Sequence, residues 1–478
     1  MAASLLTGRA ALHGGARPFA AGQQQQAAAP ARPHAIRGAV SAAAAASEAP
    51  LPSEADVVVV GAGLAGLHCT SLLQRGGADA LLLEGSDGVG GRVRTDTTEG
   101  FLLDRGFQIF LTGYPYAREA LDFDALRLRP FYAGARVRFA GGWHTVADPL
   151  RHFVDGLLSL ANPIGSVLDK VNVGVFRIKA TLGSLDALLA APETTTEQRL
   201  RDEGFSPEII DRFFRPFLGG IFFDTRLSTS SRLFAFVMRM LATGQNCLPE
   251  AGIGAVAGQV AAGLRDGSVV LGAKVERIEP GSGGAPARVV LSDGRSVAAR
   301  RGVVVATEGP EAARLLGERL QASPSKPQAG VGTCCLYFAA AAPPSPDAVL
   351  YLNGTGQGLV NNACFPSTVA PSYAPPGQTL VSVSVIGTQP GMDDAALEAA
   401  VRSELGPWFG ADQVAGWRHL RTYRIPFAQP NQAPPTDFSR PVALGGGMYV
   451  CGDHRDAATF EGALLSGKRA AEAVLAGR

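Results

Sequence analysis

"ADVVVVGAGLAGLHCTSLLQRGGADALLLEGSDGVGGRVRT", residues 55 to 95, is the stretch that decides the fold. Val57 to Val60 form a short run of β-branched apolar residues, which is typical of a strand buried on both faces of a parallel sheet. Gly61, Gly63 and Gly66 then form the pattern G-x-G-x-x-G. In this pattern the first glycine permits a tight turn, the second lets a pyrophosphate approach the backbone, and the third lets helix and strand pack closely. The stretch therefore predicts a dinucleotide phosphate at a helix N-terminus, where amide donors and the helix dipole favour negative charge.

A second strand and an acidic residue extend this nucleotide pattern. Ala80 to Leu83 is an apolar run that ends in Glu84, and roughly twenty residues after the first glycine is the spacing of an acid that binds ribose hydroxyls. A carboxylate at this point would repel a 2′-phosphate, so NADP is disfavoured. Leu64 and Ala65, which begin the predicted helix, join the cofactor-binding set. These features alone do not separate FAD from NAD.

Length and composition indicate a two-domain globular protein. The chain has 478 residues, of which 46% are hydrophobic and 18% charged, and this length exceeds what one hydrophobic core usually organises. The formal net charge is +1. Because nucleic-acid binding is usually announced by a large basic excess, nucleic acid is not an expected partner.

Residues 1–50 differ from the rest of the chain. They contain four arginines among many alanines and no acid before Glu48, which is typical of a cleavable and disordered organelle transit peptide. We expect a chloroplast location, in the stroma or at the thylakoid, with the mitochondrion as the alternative. No transmembrane segment is predicted: the uncharged stretch Pro327 to Pro346 contains four prolines, which would break a spanning helix. The six cysteines include no CxxC pair, so free thiols are expected.

The segment "GVGGRVRT", Gly88 to Thr95, resembles a turn found in the superfamily of flavin-dependent amine oxidases, protoporphyrinogen oxidases, phytoene desaturases and carotenoid isomerases. In that superfamily a GGR-x-x-T/S turn follows the ribose-binding acid and contacts the FAD diphosphate. The resemblance implies that Gly90, Gly91 and Arg92 are FAD residues. A second glycine turn with a guanidinium group is chemically suited to neutralising a diphosphate.

The C-terminal segment "MYVCGDHRDAATFEGALLSGKRAAEAVL", residues 448 to 475, resembles the closing FAD motif of the same superfamily. The resemblance implies that Gly452 and Asp453 lie at the ribityl or diphosphate region, and that Gly462 and Ala463 bring a helix start close to the flavin. His454 is expected to be a hydrogen-bonding or surface residue near the flavin rather than a catalytic base. No catalytic residue is assigned from the sequence.

Three internal segments resemble superfamily segments in the expected order. These are "LDRGFQIF" at 103–110, "LPEAGIGAVAGQVAAGL" at 248–264, and the pair "AKVERI" and "RRGVVVATEGP" at 273–278 and 300–310. The resemblance implies that the first segment lies near the isoalloxazine, that Val275 contacts the adenine, and that the last segment ends a strand near the cofactor. The implied contacts are Gly106, Gln108, Val275, Ala306 and Thr307.

We therefore predict an α/β fold with a discontinuous Rossmann-like FAD-binding domain and a second, α+β substrate domain whose mixed sheet is backed by helices. The FAD-binding domain is assigned to 52–130, 245–320 and 421–478, and the substrate domain to 131–244 and 321–420. Apolar residues at helical spacing predict helices over 150–244, whereas alternation predicts strands over 331–388. "GTGQGL", residues 354 to 359, is expected to be a hairpin turn.

The resemblance implies an FAD-dependent oxidoreductase that transfers a hydride from an apolar small molecule, isoprenoid, carotenoid or tetrapyrrole in character, to flavin N5. Oxygen or a quinone would reoxidise the flavin. Non-covalent FAD is expected, because covalent members of the superfamily use a cysteine upstream of the closing motif and residues 423–446 contain none. An amine oxidase proper, a redox-neutral carotenoid-type isomerase and a non-catalytic flavin-binding assembly protein remain alternatives. No metal site is expected.

Eight phenylalanines are crowded into one part of the predicted substrate domain. They suit either an ordinary helical core or a tunnel for an apolar substrate, with peripheral contact to a membrane. Three arginines among them could meet a carboxylate or a lipid phosphate, although solvated positions are equally open to them. The phenylalanines are Phe205, Phe213, Phe214, Phe217, Phe222, Phe223, Phe234 and Phe236, and the arginines are Arg212, Arg215 and Arg226.

Overall fold

The structure is a computed structural model that describes residues 51–148, 151–159, 161–321 and 330–477. The predicted transit peptide, residues 1–50, lies outside the described residues. In chain order the strands are β1 (Glu54–Val60), β2 (Ala80–Leu83), β3 (Thr95–Thr98), β4 (Phe101–Asp104), β5 (Phe110–Leu111), β6 (Leu128–Pro130), β7 (Gly134–Phe139), β8 (Gly142–Ala147), β9 (Asn246–Pro249), β10 (Val269–Val270), β11 (Val275–Glu279), β12 (Ala287–Leu291), β13 (Ser296–Val305), β14 (Gly330–Ala340), β15 (Leu350–Asn353), β16 (Val360–Cys364), β17 (Thr379–Ile386), β18 (Arg418–Pro430) and β19 (Met448–Val450).

The helices alternate with these strands in the first part of the chain and then dominate residues 151–244. In chain order they are α1 (Leu64–Arg75), α2 (Pro115–Ala120), α3 (Phe123–Leu126), α4 (Phe153–Ser159), α5 (Val167–Thr181), α6 (Leu185–Leu189), α7 (Thr196–Asp202), α8 (Pro207–Ile209) with a π-turn (Ile210–Phe214), α9 (Arg215–Phe222), α10 (Ser231–Thr243), α11 (Gly254–Ala262), α12 (Gly309–Leu316), α13 (Glu318–Gln321), α14 (Pro366–Val369), α15 (Asp394–Phe409), α16 (Ala411–Ala415) and α17 (Phe460–Ala476).

The first sheet is the predicted nucleotide-type sheet. Its order is β10-β2-β1-β13-β12-β11, with β19 also paired to β13. Strands β10, β2, β1, β13 and β19 pair in parallel, whereas β12 and β11 are antiparallel. Val57 to Val60 lie between β2 and β13 and are buried, because a strand in the middle of a parallel sheet is covered on both faces. The predicted strand is confirmed, and α1 begins three residues after Gly61.

The second sheet is built mainly from the predicted substrate domain. Its order is β18-β14-β17-β16-β15-β7-β8, and it is mixed because β15 pairs with β7 in parallel while the other neighbours are antiparallel. Residues 354–359 join the antiparallel strands β15 and β16, so the predicted hairpin is confirmed. Strand β18 runs to Pro430 in this sheet, past the predicted boundary at 421. The domain bounds themselves stay predictions.

Residues 151–159 and 161–244 are largely helical, as predicted. Helix α5 packs on α10, where the rings of Phe176 and Phe234 stack with centroids 5.2 Å apart. Five of the eight crowded phenylalanines belong to the buried core, as the ordinary interpretation predicts. They are Phe205, Phe214, Phe222, Phe234 and Phe236.

Two other expectations concern membranes and thiols. In the described ranges, no helix combines the length and the apolar character that a membrane crossing requires. All six cysteines fall inside those ranges, and each is buried with a free thiol, as expected. Burial raises the pKa of the Cys335 thiol to about 11, which keeps that thiol protonated.

Candidate functional site

A cavity of about 740 Å³ lies between the two sheets and is lined by residues from both. Two of the predicted cofactor residues, Gly66 and Gly462, do not reach its surface. The other fifteen do: Gly61, Gly63, Leu64, Ala65, Glu84, Gly90, Gly91, Arg92, Gly106, Gln108, Val275, Ala306, Gly452, Asp453 and Ala463.

The first glycine turn has three different local geometries. Gly61 has φ +104°, and a Cβ atom there would lie 3.0 Å from the carbonyl of Ala306. Gly63 is different, since a Cβ atom would meet no protein atom within 4 Å and would enter the open cavity. At Gly66 a Cβ atom would lie 2.0 Å from the carbonyl oxygen of Gly61. These geometries agree with the turn, approach and packing roles that the sequence predicts for the three glycines.

Glu84 lies at the carboxyl end of β2 and holds the glycine turn as well as lining the cavity. Its Oε2 accepts a hydrogen bond of 2.7 Å from the amide of Ala62, and its Oε1 accepts one of 2.9 Å from the amide of Ser86. Each carboxylate oxygen keeps a further lone pair for a hydroxyl donor. The structural role of Glu84 was not predicted from the sequence, and its ribose contact stays a prediction.

The second glycine turn packs directly on the first. The amide of Gly90 donates to the carbonyl of Ala62 at 2.7 Å. Gly90 and Gly91 have φ +109° and +58°, and a Cβ atom on Gly91 would lie 3.3 Å from the Cα of Gly63. Only residues without a side chain allow two turns to approach this closely. The two predicted turns therefore form one surface at the start of α1.

Arg92 and Asp453 pair with each other in the structure. The guanidinium donates to both carboxylate oxygens at 2.8 Å and to the carbonyl of Ala428 at 2.9 Å. Burial alone would raise the pKa of Asp453, but the adjacent Arg92 outweighs it and holds that pKa below its usual range. The sequence placed both residues against the cofactor without predicting this ion pair. Because its charge is already balanced, Arg92 brings no uncompensated positive charge to a diphosphate.

The segment after β4 is fixed by a buried acid. The Asp104 carboxylate accepts hydrogen bonds from Thr95 Oγ1 at 2.6 Å, from the amide of Ile253 at 2.9 Å and from the Tyr373 hydroxyl at 2.9 Å. Burial raises the pKa of Asp104 to about 6. These partners come from separate parts of the chain and hold the end of β4, from which the lining residues 105–109 leave.

Gly106 and Gln108 lie in this segment, as predicted. Gly106 has φ +86°, and a Cβ atom there would approach Ile425 Cδ1 to 2.7 Å. The side-chain amide of Gln108 donates to the carbonyl of Arg92 at 2.8 Å. The two residues therefore connect the second glycine turn to strand β18 of the other sheet, and contact of either with a flavin stays a prediction.

The wall beside the first glycine turn includes polar groups that the sequence analysis did not single out. Lys274, Glu308 and Glu311 line the cavity beside the predicted Val275 and Ala306. Burial raises the pKa of Glu308. The sequence signal that could have found Glu308 is its position three residues after the end of strand β13, since ligands in such folds bind at the carboxyl ends of the strands.

Two polar side chains near this wall have no protein partner among the described residues. The hydroxyl of Thr307 lines the cavity and is buried without a hydrogen bond. His454 is buried, and both of its ring nitrogens lack a partner, although it does not line the cavity. Burial lowers the pKa of His454 to about 4, so the imidazole is neutral at pH 7. A weakly basic imidazole that does not line the cavity agrees with the expectation that His454 is not a catalytic base.

The end of the cavity away from the glycine turns is uncharged and mostly apolar, although the second sheet adds the polar side chains of Thr333, Asn362, Ser384 and Gln429. Residues 207–243 contribute eight lining residues, all uncharged, and the second sheet contributes only uncharged side chains. Phe217, Phe222 and Phe223 are among them, so these three of the crowded phenylalanines line the cavity, and their role in a substrate tunnel stays a prediction. The charged residues of the lining all belong to segments around the end that contains the two glycine turns, which we call the nucleotide end. They are Glu84, Arg92, Arg105, Lys274, Glu308, Glu311 and Asp453.

The three arginines near the phenylalanines do not line this cavity. Arg212 donates to the carbonyl of Pro163, Arg215 pairs with Asp211, and Arg226 lies beside Asp224. Their interpretation as ordinary surface and capping groups is therefore supported over a role in holding a ligand carboxylate in the tunnel.

Comparison with known families identifies the chain. Residues 64–475 match the family model described as flavin containing amine oxidoreductase. The chain belongs to this family. The predicted superfamily is thus confirmed, and the chain is a flavin-dependent oxidoreductase.

Solved structures share the fold at low sequence identity. An oxidoreductase from Methanosarcina mazei superposes with a TM-score of 0.68 at 18% identity, covering 87% of this chain and 99% of that one. A proposed protoporphyrinogen oxidase from Exiguobacterium sp. 255-15 gives 0.67 at 16% identity, over 90% and 100% of the two chains. Putrescine oxidase with bound putrescine gives 0.64 at 18% identity, over 88% and 99%. These similarities confirm the predicted fold class.

Proposed function

We propose that this flavoenzyme binds FAD non-covalently and oxidises an apolar small molecule, isoprenoid or tetrapyrrole in character. The observation that supports the proposal best is the division of the cavity. One end has glycine turns, an acid and a helix N-terminus, whereas the other end is lined only by uncharged side chains, most of them apolar. A dinucleotide suits the first end and an uncharged, greasy substrate suits the second.

The residues at the nucleotide end fit FAD. The space in front of Gly63 is open, and no described side chain caps the N-terminus of α1, so its amide donors are available to a phosphate. Glu84 offers lone pairs to ribose hydroxyls, and the unpartnered Thr307 hydroxyl offers a further hydrogen bond. Within the described residues, no cysteine or histidine lines the cavity. This supports non-covalent attachment, because those side chains are the usual points of covalent linkage to flavin.

When bound, the flavin supplies a two-electron acceptor for a hydride from a substrate C–H bond. The protein's part is to hold the substrate and to exclude water. Phe217, Leu233 and Val237 provide apolar contact area for a substrate that is bound by burial. Burial raises the pKa of the Tyr114 hydroxyl, and burial and the hydrogen bond to Asp155 raise that of Tyr132. Both lining phenols therefore stay neutral. The described helices α9 and α10 contribute no charged side chain to the cavity lining.

This lining favours an apolar substrate over an amine. A cationic amine buried in the apolar end would need a carboxylate partner to offset its desolvation. The carboxylates in the lining, Glu84, Glu308, Glu311 and Asp453, lie at the nucleotide end, and Asp453 is already paired with Arg92. An amine oxidase proper thus has less support here than oxidation of an uncharged compound.

The electron acceptor and location complete the proposal. We infer that oxygen or a quinone reoxidises the flavin, since the sequence shows a single dinucleotide pattern and no second one for a nicotinamide reductant. The composition of residues 1–50 supports import into a chloroplast, with the mitochondrion as the alternative. A redox-neutral isomerase and a non-catalytic assembly protein are the outcomes that the following experiment would reveal.

The test starts from purified protein and its visible spectrum. We expect a flavin spectrum, and free FAD in the supernatant after denaturation. Polyenes, porphyrinogens and primary amines are then mixed anaerobically with the protein, and loss of the oxidised flavin absorbance at about 450 nm is followed. Bleaching by a polyene or porphyrinogen supports the proposal, and bleaching by amines alone overturns it. Turnover that requires reduced flavin and gives no net oxidation would identify an isomerase, and no reaction with any compound would favour an assembly role.

A pair of variants tests where FAD binds. Gly63→Val would fill the approach to the helix N-terminus and abolish FAD retention. Gly258→Val is the matched control, because a Cβ atom at Gly258 also meets nothing within 4 Å but the residue does not line the cavity. A Gly63→Val protein that purified with full flavin content would contradict the assignment of the site.

A further inference from the structure

Exposed apolar side chains are concentrated in one part of the molecule. Eight large hydrophobic residues are exposed among the described residues, and seven of them lie between residues 154 and 182. Six of the seven belong to α5 and the residue that follows it. We call them the apolar stripe: Val167, Leu168, Val171, Val175, Ile178 and Leu182, which are 44–66% exposed.

The stripe occupies one continuous face of the helix. With 3.6 residues per turn, its six positions fall within roughly 100° of arc. The opposite face is buried and includes Phe176, which stacks on α10. Helix α10 in turn supplies Leu233, Val237 and Leu241 to the cavity wall. The stripe therefore faces away from the protein, with one packed helix between it and the cavity.

The charges of α5 are arranged around the stripe. Helical spacing places Lys179 next to one edge of the stripe. Lys170 and Arg177 lie beyond the other edge and are engaged within the protein, since Lys170 donates to the carbonyl of Asn162 and Arg177 pairs with Asp148 at 2.9 Å. Lys179 is well exposed, although it reaches Glu203 at 3.2 Å. The one acid of the helix, Asp169, lies on the buried face, where Ser166 and Ser206 donate to its carboxylate. An apolar face with an exposed lysine at its edge, on a helix whose one acid is buried, is suited to lie in the interface of an anionic bilayer.

We propose that the apolar stripe attaches this protein peripherally to the surface of an anionic lipid bilayer, with α5 lying in the interfacial plane. A second copy of the chain is a weaker occupant. A stripe of this width on a helix of 15 residues covers roughly 200 Å², whereas a stable protein pair buries about 800 Å² on each partner. A bilayer has no such requirement, because a single amphipathic helix is enough to bind it.

The attachment gives a location to the predicted peripheral membrane contact. It depends on the geometry of α5 alone and not on the identity of the substrate. If the proposed apolar substrate is correct, the stripe also brings the apolar end of the cavity to within one helix layer of the lipid that would dissolve such a compound.

Vesicle flotation of the full-length, flavin-loaded protein tests the proposal. Vesicles of phosphatidylcholine alone are compared with vesicles that also contain phosphatidylglycerol. We expect binding that is stronger on the anionic vesicles. Ile178→Asp, in the stripe, should weaken binding at least about tenfold, because an apolar contact is lost and a charge must be desolvated. Lys179→Gln should weaken binding to anionic vesicles about fivefold while leaving binding to neutral vesicles unchanged.

Met392→Asp is the matched control, since Met392 is the one large apolar side chain exposed in the described residues outside 154–182. It should bind vesicles like the unmodified protein. Equal flavin content in all variants shows that they are folded. Failure of the unmodified protein to float, or an Ile178→Asp variant that floats equally well, overturns the proposal. So does a dimer in sedimentation analysis that Ile178→Asp dissociates without any vesicle binding, which would make the stripe a contact between copies. None of these outcomes depends on substrate turnover.

Discussion

Replacing Gly66 with alanine should destabilise the protein, whereas replacing Gly63 with alanine should leave its stability unchanged and release the flavin. The two residues lie in the same turn but have different surroundings. A Cβ atom on Gly66 would lie 2.0 Å from the carbonyl oxygen of Gly61 and 3.0 Å from Ala306 Cβ. Neither neighbour is the end of a flexible side chain, so α1 must move away from β1 by about 1 Å or more to accept the methyl group.

The expected magnitudes follow from these contacts. Overpacking of this kind costs about 1–3 kcal/mol, and more where the clashing atom is backbone. Because Gly66 is inside α1, alanine recovers about 1 kcal/mol of helix propensity, which leaves a net loss of roughly 2 kcal/mol for the severe clash seen here. Gly63 is the N-cap of α1 with φ −69°, so alanine is unstrained. Its backbone entropy gain of about 0.4–1 kcal/mol is offset by its poorer capping.

Urea unfolding of the two variants, measured on protein stripped of flavin, separates stability from cofactor binding. We expect Gly66→Ala to unfold at lower urea and Gly63→Ala to match the unmodified protein within about 0.5 kcal/mol. Flavin titration of the stripped proteins should then show a large loss of affinity for Gly63→Ala. A Gly66→Ala protein of undiminished stability would refute the packing argument. A Gly63→Ala protein that loses stability but binds flavin normally would refute the ligand argument.

Glu84→Gln should weaken flavin affinity at least tenfold in fluorescence titration, because one amide nitrogen must face a backbone donor where the carboxylate accepted two hydrogen bonds. Glu84→Arg should weaken it further, and unchanged affinity in both would place the residue outside the nucleotide site. Asp453→Asn should lower the free energy of unfolding by about 3 kcal/mol, since it leaves the Arg92 guanidinium partly buried and unpaired. Adding Arg92→Met to the same chain should recover part of that stability. No recovery would show that the pair is not coupled. The pKa of Asp104 is raised to about 6 in the folded protein. The stability that its protonated carboxyl group contributes is therefore complete below about pH 4 and is lost as the pH rises through 6. Asp104→Asn should therefore become more stable relative to the unmodified protein, by up to roughly 3 kcal/mol, as pH rises from 4 to 7, and a pH-independent difference would contradict the assignment.

The local parts of the site were predictable from the sequence because each rests on a short-range rule. Gly61 and Gly90 need positive φ, and the runs around them indicated the strand and turn that require it. The Arg92–Asp453 pair was not predictable, since the two residues are 361 positions apart and each was separately suited to a ligand. Long-range pairing of this kind has no signature in local periodicity.

Two further differences between prediction and structure also arise from long-range contacts that the local sequence does not specify. Strand β18 extends past the predicted domain boundary because it pairs with β14 as far as Pro430, and no turn residue marks position 421. The apolar stripe on α5 belongs to the helical spacing that predicted helices over 150–244, and that spacing does not show whether an apolar face is buried. Whether such a face is covered depends on which neighbours pack against it. In the structure α10 covers the Phe176 face of α5 and leaves the stripe open.

The distribution of charge in the cavity explains how one fold can keep its cofactor while its substrates differ. The charged lining residues are confined to the segments around the nucleotide end, and Arg92 and Asp453 balance each other where the two sheets meet. Helices α9 and α10 and the second sheet add only uncharged groups. Substitution of Phe217 or Val237 would therefore reshape the substrate end without altering the field at the phosphates. In the arrangement that we propose, cofactor affinity and substrate choice therefore depend on separate residues.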